Sequence, residues 1–115
     1  MKWHKIPKSA LESAQSVQLV KLEGTKFCLI RENEKWYATS VKCPHAGANL
    51  ANGWCENGKL ICPYHRHQFN LVDGKGTLGQ NNAITIYQLQ QREDGLYIDL
   101  PENLFERLGK IIKKL

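Results

Sequence analysis

No run of apolar residues in this chain approaches the ~18–20 that a membrane span requires. The opening stretch, MKWHKIPKSALE, has no apolar segment of the kind that directs secretion. These two absences argue against a membrane protein and lead to the expectation of a cytoplasmic one. Internal repeats, low-complexity tracts and linkers are also missing, so the 115 residues read as one domain. A chain of this size buries about two-thirds of its unfolded surface, enough for a core without staples.

Acidic residues are the scarcer charge, 11 against 16 Lys and Arg, for a net charge of +5. That balance raises nucleic acid as a partner, but the distribution speaks against it. Residues 1–42 carry eight basic and four acidic side chains, residues 43–100 four and five, and residues 101–115 four and two. A nucleic-acid surface gathers its cations into a patch with interleaved aromatics, and here the middle of the chain is nearly neutral. The charge supports only a weak preference for acidic partners.

Of the four cysteines, Cys28 lies in the apolar run FCLI and Cys55 follows Trp54 at the mouth of a turn. Both read as small buried hydrophobes. Cys43 and Cys62 are different, because each has histidine close by. Without a secretory signal, thiols beside histidines point to metal binding or catalysis rather than to disulfides.

Short β segments separated by turn signals fill most of the chain. They are expected at residues 17–23, 26–31, 36–39, 53–56, 59–62, 68–72, 83–90 and 96–100, with an N-terminal β segment holding His4 at the surface. A four-residue loop, residues 32–35, joins the second and third. Asn57-Gly58 suits a type I′ hairpin turn, and Asp73-Gly74 and Asp94-Gly95 mark further turns. Strands of this length and spacing predict an all-β fold, an antiparallel β-sandwich or small barrel. Ser9-Ala10-Leu11-Glu12 fits a capping box and predicts one helical turn. From Asn103 on, Leu104, Phe105, Leu108, Ile111, Ile112 and Leu115 share one stripe, which predicts a short C-terminal amphipathic helix. Packing on the domain's own sheet is the favoured role for that stripe. Its opposite face is basic, so docking to a partner or a membrane surface is the alternative.

The chemistry concentrates in Cys43-Pro44-His45 and, after sixteen intervening residues, Cys62-Pro63-Tyr64-His65. Each pair follows a β segment, and the Asn57-Gly58 hairpin would set the two loops side by side. Three readings compete. Structural zinc favours a pair of cysteines followed by a pair of histidines, an order these mixed pairs do not follow. A Cys–His dyad would leave one pair unexplained. A [2Fe–2S] cluster, with cysteines on one iron and histidines on the other, uses all four residues.

The segments CPHAGANL and CPYHRHQF resemble the two cluster loops of Rieske proteins, and the ferredoxin-type pattern runs from about Trp3 to Leu100. That resemblance implies a Rieske [2Fe–2S] domain over residues 1–100, with a cluster-binding subdomain, followed by a tail over residues 101–115. It implies Cys43 and Cys62 as ligands of the inner iron and His45 and His65 as ligands of the outer one. His67 is the alternative to His65 and otherwise a polar loop residue. The resemblance further implies a one-electron carrier, not an enzyme, with redox proteins as partners: a flavin reductase as donor, a terminal oxygenase or reductase as acceptor. A non-catalytic small subunit of a larger reductase is the second reading, and a zinc-bound Cys2His2 module the third.

Departures from the pattern refine these expectations. Ala48 and Tyr64 stand where high-potential Rieske proteins have two further cysteines, so no disulfide can tie the loops. His67 and Phe69 stand where those proteins place hydroxyls near the cluster sulfurs. Lost hydrogen bonds to sulfur imply the low end of the Rieske range, about −150 mV. Arg66 occupies a position where the family favours glycine. Residues 76–82 lack the proline common in a third covering loop.

Overall fold

The computed structural model of the chain describes residues 2–44, 47–63, 66–76 and 82–101. Among these residues, ten strands form three antiparallel sheets. Strands β1 (Lys2–Lys5), β9 (Leu89–Arg92) and β10 (Gly95–Leu100) make a sheet in the order β1-β10-β9. A second sheet, β2-β3-β4-β8, comprises Val17–Leu22, Thr25–Glu32, Lys35–Thr39 and Ile86–Tyr87. The third, β5-β6-β7, comprises Trp54–Glu56, Lys59–Ile61 and Gln68–Asn70. All three stay open among the described residues, so of the two expected architectures the closed barrel is not formed. The expected C-terminal helix falls on residues outside those described.

Strand β3 explains how the pieces hold together. Phe27, Cys28, Leu29 and Ile30 are all fully buried, because β3 is covered on both faces. Phe27 and Leu29 point into one core with Ile6, Ala38, Leu96, Ile98 and Leu100. Cys28 and Ile30 point into a second core with Leu50, Leu60, Phe69, Leu71 and Ile84. Strand alternation sends neighbouring side chains to opposite faces. A continuous apolar run is therefore what a strand shared by two cores needs. Burying each large side chain here is worth about 1.5–3 kcal/mol.

Three hairpins close through two-residue turns with both central φ angles positive: Glu23 and Gly24 (+49°, +80°), Asn33 and Glu34 (+51°, +63°), and Asn57 and Gly58 (+51°, +77°). The expected Asn57-Gly58 turn is present. The expected four-residue loop at 32–35 is not, because β3 and β4 continue until Glu32 pairs with Lys35. Added ladder pairs, with the Arg31 guanidinium over the Trp36 ring at 5.5 Å, offset the strain of holding Glu34 in a left-handed conformation.

Two further expectations need correction. The single helical turn exists as α1 (Lys8–Leu11), but Ser9 lies inside it. Its N-cap is Pro7, with no side-chain cap. The proline carbonyl takes the Ala10 N–H at 3.0 Å, so the turn starts ahead of the expected capping box. Residues 83–90, expected as one strand, contribute to two. β8 pairs with β4, and after Gln88 the chain enters β9 beside β10. The Gln88 carbonyl accepts the Asp99 N–H at 3.0 Å and marks this corner between sheets.

Candidate metal centre

β4 delivers the chain to Cys43 and β6 delivers it to Cys62. Leading into the first loop, the Leu50 N–H donates to the Val41 carbonyl at 2.7 Å. Asn49 caps the following 3-10 turn, Leu50–Asn52, with its side chain accepting from Ala51. The β5–β6 hairpin is braced against the second sheet, where the Glu32 carboxylate accepts the Gly58 N–H at 3.3 Å. Gly53, at the entry to β5, lies against the Ile61 carbonyl, and a Cβ there would collide with it. Close backbone approach is what glycine permits at this position, one residue before Trp54 and beside the strand that leads to Cys62.

The two loops share one construction. The Cys43 N–H donates to the Ala48 carbonyl, and the Cys62 N–H donates to the His67 carbonyl, both at 2.8 Å. In each case the acceptor lies five residues on. Each loop also turns through a positive φ four residues after its cysteine, at Gly47 (+69°) and Arg66 (+53°). In the first loop the Gly47 N–H adds a bond to the Cys43 carbonyl at 2.7 Å. Both loops are thus tied by their own main chain. The loop disulfide that Ala48 and Tyr64 make impossible has this local substitute within each loop.

Cys43 and Cys62 are 1% and 0% exposed. They sit in the same core as Leu50, Leu60 and Phe69, and neither is in a disulfide. Two unoxidised thiols brought by matching loops into one apolar cluster fit a soft metal group that excludes water. Phe69 is fully buried in this core, so the expected absence of a hydroxyl there is filled by an aromatic ring. His45, His65 and Tyr64 lie outside the described residues. His67 is half-buried, and its carbonyl closes the second loop.

The other two cysteines behave as the sequence suggests. Cys28 is fully buried on β3, opposite Thr39 of β4, and burial pushes its thiol up to about 11 despite a side-chain hydrogen bond with Thr39. Cys55 is half-buried, and burial, with Glu32 and Cys28 nearby, pushes it up to about 12. Thiols this hard to ionise are poor metal ligands, since the thiolate is the ligating form. Sequence reasoning missed the loop-closing acceptors Ala48 and His67, because a main-chain carbonyl leaves no mark in residue type.

A family model described as "Rieske [2Fe-2S] domain" matches residues 2–88. Among curated proteins, human apoptosis-inducing factor 3 is 38% identical over 64 residues, covering 56% of this chain and 10% of that protein. Nitrite reductase [NAD(P)H] of Emericella nidulans is 32% identical over 102 residues, covering 78% of this chain and 9% of that protein. The chain therefore spans about a tenth of the length of these relatives. Among solved structures, the ferredoxin of carbazole 1,9a-dioxygenase from Nocardioides aromaticivorans superposes with a TM-score of 0.73 at 19% identity, covering 89% of this chain and all of that one. The shared antiparallel fold and the family match lead to one conclusion: the chain belongs to the Rieske [2Fe-2S] domain family, whose cofactor is a Rieske-type [2Fe–2S] cluster.

Proposed function

We propose that this chain is a one-electron carrier whose cluster is held by Cys43, His45, Cys62 and His65, passing electrons from a reductase to a terminal oxygenase or similar redox enzyme. The single observation that carries the reading is the pair of buried cysteines at equivalent places in two loops of one construction. When bound, the cluster supplies reversible one-electron chemistry. The chain's own contribution is to hold and shield it. Leu50, Leu60 and Phe69 keep water from the cysteine side, and the two main-chain ties fix where each thiol lies. His45 and His65 supply neutral nitrogen ligands. A rigid site of this kind lowers the reorganisation that accompanies electron transfer, and the protein's share is positioning and electrostatics.

On this reading residues 1–100 are the Rieske domain and residues 101–115 its tail, with the cytoplasm as the compartment. With Phe69 and His67 in place of hydroxyls, the reduction potential falls at the low end of the Rieske range, about −150 mV. Protein-film voltammetry tests this, and a value well above 0 mV would contradict it.

A second reading has its own support. The similarity to a tenth of a nitrite reductase favours a Rieske unit that stabilises a larger reductase without passing electrons. Titration of the oxidised protein with flavin reductases separates the two: rapid one-electron reduction of a monomer supports the carrier, and no reduction by any donor supports the structural subunit. Metal analysis that returns zinc and no sulfide would establish the zinc module instead.

A further inference from the structure

The cluster sheet keeps its carboxylates at one end. Between Ser40 and Arg92 the sequence has only two carboxylates, Glu56 and Asp73. Glu56 ends β5 beside the Asn57-Gly58 turn, and its side chain is tied to the Trp54 indole N–H at 3.0 Å. Asp73 follows β7, near that same turn, since the Leu71 N–H donates to the Gly58 carbonyl at 3.1 Å. Its carboxylate accepts the Lys75 N–H at 2.9 Å. Both acids thus sit at the turn end of the sheet, and strands of three residues set the two ends roughly 10 Å apart. At the cysteine end stand Lys42, directly before Cys43, and Arg66, four residues after Cys62. Both are exposed, as are the neighbouring Pro44, Gly47 and Pro63. Arg66 stands in a left-handed conformation, φ +53°, at a cost glycine would avoid.

Resting on the electron-carrier reading, we propose that the cysteine-loop end is a cationic docking surface, carried by Lys42 and Arg66, for the acidic face of a redox partner protein. Two cations accompanied by exposed prolines suit a few carboxylates around a small contact. They are too few for a nucleic-acid backbone, where binding rests on many phosphate contacts. Charge of this kind sets encounter rate and orientation more than affinity.

The test compares Arg66→Glu, Lys42→Glu and Lys35→Glu, which share one net charge. Lys35 is exposed and pairs with Glu32, whose carboxylate holds Gly58, so it marks the opposite end. Reduced protein is mixed with ferricyanide, an anionic oxidant, and with tris(phenanthroline)cobalt(III), a cationic one, at low and high salt. Arg66→Glu and Lys42→Glu each slow ferricyanide about two- to fivefold at low salt and speed the cobalt complex. High salt abolishes both effects, and Lys35→Glu leaves both rates unchanged. Independently of electron transfer, the first two variants elute from a cation exchanger at lower salt than Lys35→Glu. Arg66→Gly, which removes the charge and relieves the backbone, shows the same direction with a smaller change. Either measurement ranking Lys35→Glu with the other two overturns the proposal. Failure of the carrier reading has a separate sign: purified protein without iron–sulfide absorption or a reduced-state paramagnetic signal.

Discussion

Arg66 is the residue whose backbone and identity disagree most openly. Its φ of +53° costs a non-glycine residue about 1–2 kcal/mol. Glycine would recover that while adding about 0.5–1 kcal/mol of unfolded-chain entropy. Arg66→Gly is therefore expected to stabilise the protein by about 0.5–1 kcal/mol, read as a rise in melting temperature, while weakening the charge effects at the cysteine end. Cys28 offers a pH-dependent companion. Its folded-state pKa of about 11 lies above the ordinary value of 9.0. Stability from the buried neutral thiol is complete below pH 9 and is lost as pH rises toward 11, because only the unfolded chain ionises in that window. The loss is at most about 3 kcal/mol. Urea midpoints measured from pH 8 to 11 should fall less steeply in Cys28→Ala than in the parent. Equal slopes would show that Cys28 has no part in the alkaline loss.

At the scale of elements, the strands were readable wherever a turn dipeptide or a period marked them. Asn57-Gly58 announced its hairpin, and alternation along Leu96, Ile98 and Leu100 announced β10, with all three buried. The hairpin at Asn33-Glu34 was overestimated in length, since glutamate gives no local sign of adopting a positive φ. Register across β3 and β4 decides it. The corner at Gln88 was invisible because no glycine or proline punctuates residues 83–90. Of the site, the cysteines and their spacing were plain in the sequence, whereas the closing bonds to Ala48 and His67 were not, being main chain to main chain. Gly53 carries a related prediction. Its place against the Ile61 carbonyl leaves no room for a methyl group, so Gly53→Ala must push β6 and the Cys62 loop. A stability loss of about 1–3 kcal/mol follows from such overpacking, with reduced iron content on purification. An alanine variant with full iron content and unchanged melting would refute this packing account.

For the whole molecule, two cores share β3, and only one of them contains Cys43 and Cys62. Metal binding that draws on those thiols contributes folding energy locally. Removing iron with a chelator should therefore loosen one half. Amides of β5, β6 and β7 are expected to exchange with solvent at least tenfold faster in the apoprotein. Amides of β1, β9 and β10, packed on the other core, should keep their protection. Hydrogen-exchange mass spectrometry reads both halves at once, and uniform loss across all three sheets would mean that the two cores unfold as one unit.

The central claim is that sulfur from two buried cysteines and nitrogen from two loop histidines grip one binuclear iron centre. Pulsed electron paramagnetic resonance of the dithionite-reduced protein tests it most directly. The account predicts couplings to two histidine nitrogens, lost in His65→Ala and retained in His67→Ala. A reduced protein without nitrogen coupling, or a signal that survives in His65→Ala and disappears in His67→Ala, would contradict it.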